Sequence, residues 1–161
     1  MADLEALLAA IYAHPDDDAP RSVYADALIE AADPRGELIA FQLRQNRDPR
    51  VQTLLDRYSA SWLGPLAPIV MASEWKRGFP ESVTIDVFKS ELVPALATRR
   101  EWTTIRSIEL SGIPGRHRRF GSRQRAVVHA LAKSPGWAGR RFKPSLSEIE
   151  ASIENGTDGY R

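Results

Sequence analysis

An α+β fold, in which an N-terminal helical bundle caps a small leucine-rich-repeat-like strand–helix segment, is what this chain of 161 residues predicts. Three observations carry the prediction. The first sixty or so residues place apolar side chains at helical spacing and restart three times at an aspartate closely followed by proline. After Gly64-Pro65 the pattern changes to the apolar–polar alternation of strands. The charge divides in the same region: residues 1–72 hold six Lys and Arg against eleven Asp and Glu, whereas residues 73–161 hold sixteen against ten. The chain therefore reads as an acidic helical region, 1–72, and a basic strand–helix region, 73–161, fused through one core.

The helices are taken in order. Leu4, Leu7, Leu8 and Ile11 share one face, with Asp3 placed to cap the first turn. His14-Pro15 ends that helix, because the residue before a proline avoids the helical region. Asp18-Ala19-Pro20 opens the next, and its expected buried stripe is Val23, Tyr24, Ala27, Leu28 and Ala31. Asp33-Pro34 starts a third, over Leu38, Ile39, Phe41 and Leu43, and Asp48-Pro49 a fourth, over Val51, Leu54, Leu55 and Tyr58. Helices this short gain their stability from packing on one another. Asp16-Asp17-Asp18 lacks the alternate ligand spacing and distal Glu of a calcium loop. Three acids ahead of a helix suit its positive dipole end, and no metal is expected there.

In the basic region Val83, Ile85 and Val87 alternate as a strand, and Leu92, Val93, Leu96 and Ala97 form a short helix capped by Ser90. Ile105-x-x-Ile108-x-Leu110 has the spacing of a leucine-rich-repeat strand, preceded by a degenerate copy at Pro80-x-x-Val83-x-Ile85 and followed by Leu146-x-x-Ile149-x-Ala151. The copies start 25 and then 41 residues apart, so the second interval needs an inserted loop. Val127, Val128, Ala130 and Leu131 make a helix, and residues 155–159 read as a frayed tail. The tryptophans Trp62, Trp75, Trp102 and Trp137 fall near element boundaries, where core or cap packing is expected.

Two stretches carry a family resemblance. Pro15 to Leu28 (PDDDAPRSVYADAL) and Asp33 to Ile39 (DPRGELI), continued by Trp62-Leu63-Gly64-Pro65-Leu66 and Trp75 to Val83 (WKRGFPESV), resemble the bacterial repeat-companion domain. That module precedes short leucine-rich repeats in large-genome bacteria. The likeness covers roughly residues 4–85 and departs from the family pattern at Ser22 and Ala27, where a large apolar residue and a tryptophan are usual. It implies a fold neighbourhood and an interaction role, and no reaction. From the residues themselves, Arg21, Tyr24, Asp26, Asp33 and Arg35 read as structural, with an arginine–carboxylate pair fixing the angle between two helices.

The inserted loop holds the best candidate for binding. Ser111 to Arg125 contains Arg116, His117, Arg118, Arg119, Phe120, Arg123 and Arg125, and a second basic group, Arg140, Arg141, Phe142 and Lys143, follows Gly136 to Gly139. Arginine grips phosphate or carboxylate at two points, and an adjacent aromatic ring can stack on a base. A solvated basic loop, one docked on the chain's own acidic helices, an acidic protein surface and a nucleic acid all fit this composition. Self-association of acidic half with basic half is a further possibility.

Other classes find little support. With no cysteine, disulfides, thiolate zinc sites and cysteine nucleophiles are excluded, and a reducing compartment fits. No phosphate-binding glycine loop, dinucleotide fingerprint, H-E-x-x-H or nucleophile elbow is present, and His14, His117 and His129 form no ligand spacing, so neither catalysis nor a cofactor is expected. Met1 to Glu5 lacks a basic n-region, and no stretch reaches the ~18 uncharged apolar residues of a membrane span. A cytoplasmic protein without a membrane partner is expected.

Overall fold

Aspartates start the helices because a carboxylate satisfies amides that no helical carbonyl can reach. A computed structural model describes residues 3–44, 48–111, 122–135 and, as main chain, 141–143. Asp3 accepts from the amides of Glu5 and Ala6 ahead of α1 (Leu4–Ala13). Asp33 accepts from the Arg35 amide at α3 (Pro34–Leu43), and Asp48 from the Arg50 amide at α4 (Pro49–Trp62). The Arg50 guanidinium also bonds Asp48, and it holds that carboxyl below the usual carboxylate range. α2 (Ala19–Glu30) differs: Asp18 makes no side-chain cap, and Asp17 accepts from the Ala19 amide instead.

The buried stripe of α2 is Arg21, Tyr24, Ala25 and Leu28, spaced i, i+3, i+4, i+7. Val23 and Ala31, expected in that stripe, are exposed. The stripe turns inward on Arg21 because the buried side of this helix holds an aromatic ring against which a guanidinium can lie. α2 ends with the amide of Asp33 on the Leu28 carbonyl and that of Ala32 on the Ile29 carbonyl, and Ala32 sits at φ +56°. This is a Schellman closure with alanine where glycine is favoured. Ala32→Gly is expected to raise stability by about 1 kcal/mol. An unchanged or lower urea midpoint would show that the φ penalty is offset elsewhere.

Architecture is α+β: six α-helices and a sheet in the order β1-β2-β3-β4 among the described residues. β1 (Val70–Lys76) and β2 (Phe79–Ile85) are joined by Arg77-Gly78, both at positive φ as a type I′ hairpin turn requires. β2 runs parallel to β3 (Ser107–Leu110), with Val83 opposite Ile108 and Ile85 opposite Leu110. That register offset is the 25 residues read between the first two strand copies. β3 runs parallel to β4 (Arg141–Lys143), Ile108 opposite Phe142. The strand beside β3 thus lies earlier than the expected third copy, and Leu146 to Ala151 fall outside the described residues, as do Trp137 and the tail.

Two compact units divide the chain: Met1–Gly64 with Glu74–Glu81, and Pro65–Ser73 with Ser82–Arg161. The helical unit buries Ile11, Tyr24, Ala25, Leu28, Ile39 and Phe79 together. The strand–helix unit is centred on Trp102, Val83, Ile85, Ile105, Ile108 and Leu131. In it α5 (Val93–Leu96) is a single turn, and α6 spans Ser122–Leu131. Ser90 does not cap α5; it closes the 3₁₀ turn Val87–Lys89, which itself starts at Asp86. Val87, expected to continue the strand, is therefore in that turn. Its side chain stays buried, so the apolar position is kept while the backbone bends. Trp102 donates its indole N–H to the Leu96 carbonyl and is fully buried, and Trp75 is buried as well.

Candidate binding surface

Of the motif residues, Arg21 and Arg35 meet at one ring. The Arg35 guanidinium lies 4.4 Å from the Phe79 centroid and 5.9 Å from that of Trp75, and Arg21 lies 5.3 Å from Phe79. Arg35 donates through Nε and Nη2 to the Gly78 carbonyl, and Arg21 through Nη1 to the Asp17 carbonyl. Burial pushes the Arg35 guanidinium below its ordinary value, yet it remains a cation at any working pH. Tyr12 meets the same ring edge-on at 6.1 Å, and Tyr24 is buried nearby in the core of this unit. Asp33 serves its helix cap. Asp26 is exposed: it lies two residues past Tyr24, on the far side of α2. Contacts between arginine and an aromatic ring, with main-chain carbonyls as acceptors, hold α2 and α3 around the hairpin, in place of the expected pair with Asp26.

Sequence reasoning missed Gln42 and Gly78. The Gln42 amide donates to the Trp75 carbonyl at 3.0 Å and accepts from the Gly78 N–H at 2.8 Å. Arg77 reaches the Asp16 carbonyl and Asp18 carboxylate, both at 3.2 Å. The acidic triplet therefore receives a turn residue and a helix amide. The hairpin could have been read from Arg77-Gly78, but β1 carries no apolar alternation that would have prompted the search.

The basic candidates fall differently. Arg116, Arg118, Arg119, Phe120 and Arg140 lie outside the described residues, as does His117. Arg123 and Arg125 belong to the first turns of α6 rather than to a loop, and both are exposed. Arg141 and Lys143 stand on β4, opposite Ser107 and Glu109 in register. α6 has no acid in its first turn, so two cations sit at the end where the helix dipole is already positive. The Arg123 guanidinium lies 5.4 Å from the ring of Phe88, which is 68% exposed.

Arg123 meets Phe88 just past the carboxyl end of β2. Beyond β2 comes the turn with Phe88, and beyond β3 comes Ser111. The Ser111 amide donates to the Ile85 carbonyl at 2.9 Å, and its hydroxyl accepts from the Val87 amide at 3.2 Å. Residues 112–121, which follow Ser111 in sequence and hold Arg116, Arg118, Arg119 and Phe120, lie outside the described residues. Carboxyl ends of parallel strands are where such sheets most often hold ligands, because the connecting loops converge there. Lys89 donates to the Pro68 carbonyl and anchors the Phe88 turn.

Among the described residues, no helix is long and apolar enough to cross a membrane. Comparison of the chain with family models, with curated proteins and with solved structures found no match.

Proposed function

We propose that this chain is a non-catalytic interaction module of the cytoplasm, which takes an acidic surface of a protein partner on the basic, aromatic-bearing end of its parallel sheet. Two cations at the amino end of α6, one of them over the exposed Phe88 ring, carry the reading. Placed there they oppose the helix dipole, a local cost that an anionic partner would relieve. The other basic and aromatic candidates are Arg116, Arg118, Arg119, Phe120 and Arg140, outside the described residues, and Arg141 and Lys143 on β4. The scaffold is a repeat-companion-like helical unit serving as cap to a leucine-rich-repeat-like strand–helix segment. The motif residues and the 25-residue parallel register support that assignment. Nucleic acid is the second reading, favoured by the exposure of Phe88, since an aromatic face beside arginine can stack a base.

Fluorescence anisotropy with labelled polyglutamate and labelled duplex DNA, at about 50 and about 200 mM salt, separates the readings. The expected result is salt-sensitive binding of polyglutamate that weakens about tenfold or more, by roughly 1.4 kcal/mol, when Arg123 and Arg125 become serine. DNA bound more tightly than polyglutamate at the higher salt would establish the second reading. Absence of binding to either at the lower salt would overturn both.

A further inference from the structure

We propose that the notch between the end of α2 and the start of α3 receives a lysine or arginine side chain from a basic segment of a protein partner. It is a second surface, on the helical unit and opposite in charge to the one proposed above. Gly36 shapes it. A Cβ built there would stand 2.8 Å from both the Ala25 carbonyl oxygen and the Ile29 amide nitrogen, so α3 passes α2 in close contact. The same Cβ would stand 2.9 Å from Cγ1 of Ile29, whose side chain lies against Gly36 and is left 47% exposed. The chain then reverses at Ala32, and Asp33-Pro34 begins α3. Ile29, Ala32, Asp33, Pro34 and Glu37 line about 340 Å³ that is open to solvent. That is the low end of the roughly 300–1,000 Å³ of a small-molecule pocket, and its open side suits one side chain of a larger partner.

The lining names the chemistry of that side chain. Ile29, Ala32 and Pro34 give an apolar wall, and Asp33 and Glu37 give carboxylates beside it. Lysine and arginine match both, because their methylene stems cover apolar surface while the charged head stays at the rim. Between residues 22 and 37 the charged groups are Asp26, Glu30, Asp33, Arg35 and Glu37. The one cation among them, Arg35, is turned inward on the Phe79 ring and the Gly78 carbonyl. Arg50 lies near enough to act on Glu37, but its guanidinium is held by both oxygens of Asp48. Arg44 stands at the far end of α3. The carboxyl end of α2 and the amino end of α3 carry opposite partial charges, so the side chains set the sign of the notch.

NMR titration of the full chain with octalysine and with octaornithine tests this, at about 50 and about 200 mM salt. The two peptides carry the same charge, and ornithine is one methylene shorter. Amide shifts are expected to centre on residues 29–37, with octalysine bound about two- to fourfold more tightly than octaornithine. Affinity is expected to fall at the higher salt. Glu37→Gln is expected to weaken octalysine about threefold, and Ile29→Ala by a similar factor. Thermal melts matching the wild type show that the variants fold; the comparison of the two peptides needs no variant. No shifts at the lower salt, or shifts centred on Asp16-Asp17-Asp18, would overturn the proposal. Equal affinity for both peptides would also overturn it, since charge alone would then account for binding. Concentration-dependent shifts at residues 29–37 without peptide would give the notch to a second copy of the chain and overturn it as well.

Discussion

Gly78→Ala is expected to bring the helical unit to the edge of unfolding. Gly78 sits at φ +77°, where a side chain costs about 1–2 kcal/mol from backbone sterics alone. A Cβ built there would stand 2.0 Å from Cγ1 of Ile39, a residue with no exposed surface. Ile39 cannot yield without moving α3, and overpacking of this kind adds about 1–3 kcal/mol or more. Any shift also disturbs the amide bonded to Gln42 and the carbonyl bonded to Arg35. A loss of about 3–5 kcal/mol is a large share of the roughly 5–15 kcal/mol that holds a domain together. Gly64→Ala is the control. Its φ is +53° and nothing lies within 4 Å of the added Cβ, so only the backbone penalty applies. Urea unfolding of the two variants should differ clearly in midpoint. Equal midpoints would mean that the hairpin turn is not pressed against α3.

Phe79→Ala is expected to cost about 3–5 kcal/mol, the range for truncating a buried ring. The usual loss of packing is compounded here because two guanidiniums rest against that ring. Removing it leaves two cations beside a cavity. Phe79→Leu keeps much of the volume and removes the aromatic face, so its cost isolates the cation–π part. A double-mutant cycle of Phe79→Leu with Arg35→Met should return a coupling of about 0.5–2 kcal/mol. A coupling of zero would show that arginine and ring are merely neighbours. Both arginines stand in the stretches that resemble the repeat-companion domain, and in this geometry they serve the framework. The exposed cations on α6 are the ones the proposed binding would use.

Which residues begin and end the helices was legible in the chain itself. Asp3, Asp33 and Asp48 cap locally, Pro34 and Pro49 start locally, and His14-Pro15 stops locally, so no distant partner is needed. The 25-residue spacing from Pro80 to Ile105 equals the offset at which β2 and β3 pair. Regions fixed by distant partners were not legible. Arg21 reads as one half of a structural arginine–carboxylate pair, and it is buried where Phe79, far along the chain, offers it a ring. Val23 reads as core and is exposed, because only one side of α2 has helices and a hairpin to pack on. Asp18 reads as a cap and instead meets Arg77. On the basic side, composition alone found the arginines, while the fold set Arg123 over Phe88 at the strand ends. The division follows from range. Capping and proline geometry act within a turn of helix and are determined by neighbours in sequence. The burial of a cation and the exposure of an apolar side chain depend on what lies across a core, and only the tertiary structure decides that.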